Sequence, residues 1–217
     1  MNKYFAELIG TFAIVFCGTL AIVIDQETND SVTNLGISAV FGLIVAAMIY
    51  IFGSTSGAHF NPAVTVSFAI AKKFEKKEIA PYIICQFVGG FSASVSVKIL
   101  FENNEFLGAT IPSHSNFQAF ATEILITFGL MLLILKISST DLKNKFIAPI
   151  AIGLYIAVAA FFAGPICGAS MNPARSLGPA IASGHLEQLW IYLTAPVLGA
   201  IASVYIWNYI SNKKIIK

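Results

Sequence analysis

Long apolar runs dominate the chain, broken at intervals by short polar or glycine-rich segments. Runs near 4–24, 34–53, 79–101, 117–137, 146–164 and 189–210 each approach the roughly 20 residues that a helix needs to cross a hydrocarbon core about 30 Å thick. The pattern predicts six membrane spans. Two further segments, 62–71 and 173–183, are only long enough for about 15 Å of helix at 1.5 Å per residue, which is half a bilayer. A Gly/Ser/Ala-rich stretch precedes each, at 53–60 and 164–171, and its composition suits irregular backbone. Such backbone is tolerated at membrane depth only where it is buried in protein or lines a watery cavity. The expected fold is therefore an all-α membrane protein with six transmembrane helices and two re-entrant half-helices lining a pore, in one channel domain over 1–217. The first run is long, carries Glu7 near its start and has no small-x-small cleavage site before Asp25, so it is expected to remain as a membrane helix and not to be removed as a signal peptide.

The segments around the half-helices are repeated. Ser56-Gly57-Ala58-His59-Phe60-Asn61-Pro62-Ala63-Val64-Thr65 lies over Cys167-Gly168-Ala169-Ser170-Met171-Asn172-Pro173-Ala174-Arg175-Ser176, with Gly, Ala, Asn, Pro and Ala identical. Glu7-x-x-x-Thr11-Phe12 likewise matches Glu123-x-x-x-Thr127-Phe128, and Gln86-x-x-Gly89 lies over Pro196-x-x-Gly199. Three spans and a half-helix, used twice with an odd number of crossings, predict an inverted pair. Its halves are 1–108 and 109–217, with both half-helix N-termini meeting near the midplane.

Composition supports the membrane reading: 57% of residues are hydrophobic and 11% are charged, against about 25% charged in a soluble domain. If the spans alternate, Lys3, Lys72, Lys73, Lys76, Lys77, Lys136, Lys143, Lys145, Lys213, Lys214 and Lys217 fall on one side. The other side carries Asp25, Glu27, Asp30, Glu102, Glu105 and Glu187, with Lys98 the only basic residue nearby. Positively charged loops stay inside, so both termini are expected in the cytoplasm. The lysines mark topology and show no aromatic interleaving of the kind that suits nucleic acid, so nucleic-acid binding is excluded.

The chemistry of the repeat can be read from its residue types. Asn is a preferred N-cap whose side-chain oxygen accepts from a first-turn N–H, and Pro suits the first helical position. The oxygens of Asn61 and Asn172 are then occupied, and their NH2 groups are free to donate into a lumen at the meeting point of two positive helix ends. A water accepting from both amides has no capacity left to accept a proton from its neighbour, and the same field opposes cations. Water is expected to pass and protons to be blocked.

Two Asn-Pro-Ala boxes, Asn61-Pro62-Ala63 and Asn172-Pro173-Ala174, within six spans resemble the aquaporins of the major intrinsic protein family over the whole chain. The resemblance implies an outer constriction at Phe41, Ala160, Ala169 and Arg175. The Arg175 guanidinium would be held there by carbonyls of the loop before Asn172. It also implies that Glu7 and Glu123 accept hydrogen bonds from the re-entrant loops, that the protein is a homotetramer, and that it resides in a plasma or inner membrane. Water-selective members carry a His at the position of Ala160, so a wider, more apolar opening is expected here. The frames around both boxes resemble the nodulin-26-like branch, which conducts water, glycerol and neutral metalloid hydroxides, whereas Ser176 and Ala180 resemble the water-channel type. The function expected is a passive channel for water and small uncharged solutes such as glycerol, urea or metalloid hydroxides, excluding protons and ions. A strict water channel and a proton- or ion-coupled transporter are the alternatives. Inverted repeats also suit the transporter, but it needs a coupling site, and Glu7 and Glu123 are the only carboxylates within spans. There is no enzyme motif, and neither a cofactor nor a metal is expected.

Other residues carry less. His59, beside the first box, either lines the inner pore mouth or braces the loop, while His114 and His185 are expected in exposed loops. Cys17, Cys85 and Cys167 lack paired spacing and are expected as small apolar fillers. Gly10, Gly89, Ala93, Gly199 and Ser203 are expected at close helix contacts. Asn29-Asp30-Ser31 matches a glycosylation sequon, a short and common signal.

Overall fold

The chain folds into the helices α1 (Lys3–Glu27), α2 (Thr33–Ser56), α3 (Pro62–Ile70), α4 (Ile79–Leu100), α5 (Asn116–Ser138), α6 (Ile147–Cys167), α7 (Pro173–Ser183) and α8 (Leu189–Lys214). The structure is a computed structural model that describes residues 2–139 and 146–214, with side chains to Ser211. Lys143, Lys145 and Lys217, and the side chains of Lys213 and Lys214, which enter the charge pattern, lie outside the described residues. Six helices, α1, α2, α4, α5, α6 and α8, are long and apolar enough to cross a membrane. The other two, α3 with 9 residues and α7 with 11, are half-helices.

The irregular stretches expected at 53–60 and 164–171 are shorter than their composition suggests. α2 continues to Ser56 and α6 to Cys167. Gly53 and Gly164 do not end these helices, because their carbonyls still accept from the N–H groups of Gly57 and Gly168, at 3.1 and 2.9 Å. The chain turns only there, where φ reaches 85° and 77°, a left-handed conformation that glycine adopts at little cost.

The packing repeats as the sequence does. α1 lies along α4 and α5 along α8, α2 crosses α6, and each half-helix rests on the last span of the other half, α3 on α8 and α7 on α4. A Cβ at Gly89 would stand 2.4 Å from the Leu8 carbonyl oxygen, and one at Gly199 would stand 2.3 Å from that of Ile124. These two carbonyls follow the matched residues Glu7 and Glu123, so the contact is the same one used twice. Small residues let helices approach in lipid, where apolar burial does not drive them together. Gly10 departs from the expectation: its missing side chain makes room for the Phe60 ring, not for another helix.

Polarity is arranged from inside to outside. Phe117, Ile99 and Leu43 are 81%, 76% and 71% exposed, whereas Glu7, Gln86 and Glu123 are fully buried. With lipid outside, such polar groups must find partners within the bundle; Glu7 and Glu123 find backbone donors in the re-entrant loops, and Gln86 bonds to Glu7 and to Thr65 of α3.

Candidate functional site

Each loop between a span and its half-helix alternates in handedness. After Gly57, Ala58 and Phe60 have φ of 52° and 49°; after Gly168, Ala169 and Met171 have φ of 42° and 51°. Left-handed non-glycine residues cost about 1–2 kcal/mol each, so something must hold them. Alternation of this kind turns successive N–H groups toward one point, a concavity that suits an anion, and a carboxylate occupies each one. Glu7 accepts from the N–H groups of His59 at 2.9 Å and Phe60 at 2.6 Å. Glu123 accepts from those of Ser170 at 2.7 Å and Met171 at 2.8 Å. The Ser56 hydroxyl and the Gln86 amide add donors to Glu7 at 2.7 and 2.8 Å.

At the second box the position of Ser56 is Cys167, whose thiol donates to Glu123 at 3.3 Å. The apolar-filler expectation is therefore corrected for Cys167: it is fully buried and takes part in a polar network. Two more expectations are revised. His185 is half-buried rather than exposed, with its ring 4.7 Å from that of Phe106 and Nε2 3.8 Å from Glu105, while His114 is exposed.

Asn61 and Asn172 cap the half-helices from an extended backbone. Their side-chain oxygens accept from the N–H groups of Ala63 and Ala174, both at 2.9 Å, and Pro follows in each case. Neither NH2 group is wholly free, as the isolated box suggests it would be. Asn61 donates one hydrogen to the Met171 carbonyl at 2.7 Å, and Asn172 donates one to the Phe60 carbonyl at 2.8 Å. Each box thus binds the residue just before the other box's Asn, and the two helix starts are cross-braced. An amide NH2 has two hydrogens, so one remains on each Asn for the lumen.

Both asparagines border a cavity of about 660 Å³ that is also bordered by Phe41, Ala160, Ala169 and Arg175 and by Ser54 and Ser138. The four positions expected at the constriction are therefore brought to one cavity. Arg175 is 2% exposed, its Nη1 donates to the Gly108 carbonyl at 2.8 Å, and its guanidinium carbon lies 5.2 Å from the centre of the Phe41 ring. The carbonyl that holds it comes from the loop between α4 and α5, not from the loop before Asn172. Glycine fits at position 108 because φ there is 71° and a Cβ would lie 2.8 Å from Thr19 Cβ. His59 borders the same cavity and is also braced, with Nδ1 3.1 Å from Thr65 Oγ1 and its ring packed on Phe68 and Phe74 at 4.9 and 4.7 Å.

Among the described residues, no Asp or Glu borders the cavity and no three His, Cys, Asp or Glu side chains are grouped to hold a metal. The lumen instead offers one amide hydrogen from each Asn, a guanidinium and apolar walls. It can hydrogen-bond an uncharged solute without binding it tightly.

Comparison with known proteins agrees with this geometry. The family model described as major intrinsic protein matches residues 1–207. The chain belongs to the major intrinsic protein family. It is 39% identical to nodulin-26 of Glycine max over 211 residues, covering 97% of this chain and 78% of that protein. It is 42% identical to a probable NIP-type aquaporin of Nicotiana alata over 215 residues, covering 98% and 78% respectively. Among solved structures it is similar to the aquaglyceroporin of Plasmodium falciparum, with a TM-score of 0.88, 26% identity and 96% of each chain covered. Membership makes the chain a multi-pass membrane channel, and its six spans and two half-helices are the architecture of that family.

Residues outside the boxes that complete the site were less visible in the sequence. Ser56, Thr65 and Gln86 all join the Glu7 network, with Gln86 Nε2 donating to Thr65 Oγ1 at 2.9 Å. Ser56 and Thr65 lie in the repeated frames and Gln86 in the matched Gln86-x-x-Gly89, but nothing in the sequence joins them to Glu7. Gly108 had no signal beyond being a glycine in the loop between α4 and α5.

Proposed function

We propose that the chain forms a passive pore for water and small uncharged solutes, among them glycerol, urea or neutral metalloid hydroxides, and that the pore excludes protons and ions. The observation that carries this reading is the crossing of the two Asn-Pro-Ala boxes. Cross-bracing fixes both amides while leaving each one hydrogen, so a water between them accepts twice and breaks the proton relay. The positive ends of α3 and α7 and the buried Arg175 oppose cations in the same region, and no cavity-lining carboxylate among the described residues offsets them.

Phe41, Ala160, Ala169 and Arg175 form the selective constriction in this reading, and Glu7 and Glu123 are the scaffold of the loops. His59 stands at the inner mouth. The small side chains of Ala160 and Ala169 leave room for a solute with carbon atoms, and the names of the relatives, a nodulin-26 and an aquaglyceroporin, point the same way. The lysine asymmetry supports both termini in the cytoplasm, and a plasma or inner membrane location rests on the family resemblance. The outward apolar faces leave room for a homotetramer, and the matched helices support duplication of halves 1–108 and 109–217.

Stopped-flow measurements on proteoliposomes test this. Water, glycerol, urea and boric acid are expected to cross down their own gradients. Ala160→His is expected to reduce glycerol flux about 10-fold, the scale on which a pocket discriminates by size, with water flux largely kept. Unchanged glycerol flux in that variant would remove Ala160 from the constriction. Solute entry that follows an imposed proton gradient would replace the channel by a coupled transporter.

A further inference from the structure

The constriction has a neighbour that does not itself border the cavity. Gly18 is buried on α1, and a Cβ built there would lie 2.1, 2.3 and 2.7 Å from Cε1, Cζ and Cδ1 of Phe41. The edge of the ring therefore occupies the space of the missing side chain, while the ring itself is 5.2 Å from the Arg175 guanidinium carbon. Counting from the matched residues Glu7 and Glu123, the position of Gly18 in the second half is Ile134, which itself borders the cavity. The first half instead has a gap, filled by an aromatic ring from α2.

We propose that Gly18 is a positioning residue that sets the width of the constriction by fixing how far Phe41 stands back from Arg175. Carbon atoms pack at about 3.5–4.0 Å, so a methyl group at position 18 requires the ring edge to withdraw by roughly 1.5 Å. Withdrawal from α1 takes the ring into the cavity it borders, toward Arg175. Ala160 and Ala169, being small, offer nothing to stop it. The inference rests on the reading of Phe41 as part of the constriction.

The test compares water and glycerol flux through the full chain in proteoliposomes, each as a ratio, so that a loss of folded channels cancels. Gly18→Ala is expected to lower the glycerol-to-water ratio about 10-fold. Phe41→Leu alone is expected to raise it, and Gly18→Ala with Phe41→Leu to restore at least the wild-type ratio. If Phe41→Leu shifts the ratio but Gly18→Ala does not, the role of Gly18 is refuted and the constriction stands. If Phe41→Leu has no effect, the constriction reading itself fails, and a wild-type chain that passes water alone overturns both the proposed solute range and the role given to Gly18. Should Gly18→Ala fail to insert, the double variant decides: insertion and conduction support the proposal, and a second failure overturns it, because Gly18 would then be needed for packing that does not involve Phe41.

Discussion

At the first box Glu7 takes four donors, from Ser56, His59, Phe60 and Gln86, whereas at the second Glu123 takes three, from Cys167, Ser170 and Met171. The backbone held in each case is the same: left-handed at the same positions, with an extended Asn and a Pro-led half-helix. Only the backbone N–H donors are common to both. What the two loops share is thus the geometry that points an amide into the lumen, and what differs is placed around it. Val64 follows the first box where Arg175 follows the second, and His59 stands where Ser170 does. The two loops build a symmetric centre, and the flanking positions are where they differ.

The strongest way to break this comparison is to remove its carboxylates. Glu7→Ala leaves the Ser56 hydroxyl and the His59 and Phe60 N–H groups without their acceptor, while Gln86 keeps Thr65; Glu123→Ala leaves the Ser170 and Met171 N–H groups, because the Cys167 thiol also reaches the Ala163 carbonyl. Each orphaned neutral group costs about 1–3 kcal/mol. Both variants are expected to lose several kcal/mol, with Glu7→Ala the worse by about 1–3 kcal/mol, measured as a lower unfolding midpoint of the purified protein in detergent. Equal midpoints would mean that Ser56 and Gln86 add nothing to the shared backbone pair.

Next in size is the exchange that makes the second box copy the first, Arg175→Val. It removes the cation at the constriction and the hydrogen bond to Gly108. Cation leak is expected to rise about 10-fold or more, since one elementary charge in a narrow low-dielectric pore is worth several kcal/mol, and glycerol flux about 10-fold, because the smaller side chain widens the opening. Electrical recording from planar bilayers reads the first and light scattering the second. A variant still closed to cations would assign exclusion to the boxes alone.

The smallest change exchanges a single donor atom. Cys167→Ser gives Glu123 the hydroxyl that Glu7 already has from Ser56, and is expected to stabilise the protein by about 0.5–1.5 kcal/mol. Ser56→Cys is expected to destabilise it by a similar amount. A thermal midpoint that moves the opposite way in either variant would show that the cavity around the sulfur, and not the hydrogen bond, governs this site.

Much of the architecture was legible because its causes are local. A helix in lipid must satisfy its own backbone, so apolar length alone marks a span, and an Asn-Pro pair marks a helix start wherever it stands. The matched positions of Glu7 and Glu123 pointed to a structural role for both, and the family resemblance supplied the re-entrant loops as their partners. The local signals misled where a tertiary contact chose between options. Gly53 and Gly164 suggested early irregular backbone, yet the helices run on to Gly57 and Gly168. Cys167 read as a filler, yet it faces a carboxylate brought by another span.

By itself the sequence determined six spans, two capped half-helices, a repeat and the residues of the boxes, all of which follow from hydrophobic length and capping chemistry within a few turns of chain. The tertiary structure alone decided that each Asn amide gives a hydrogen to the opposite loop, that Gly108 holds Arg175, and that Gly18 gives Phe41 its seat. Those contacts join residues distant in the chain at separations of a few ångströms. Whether a carbonyl or a bare α-carbon arrives at such a distance depends on how the helices pack, which no local pattern records.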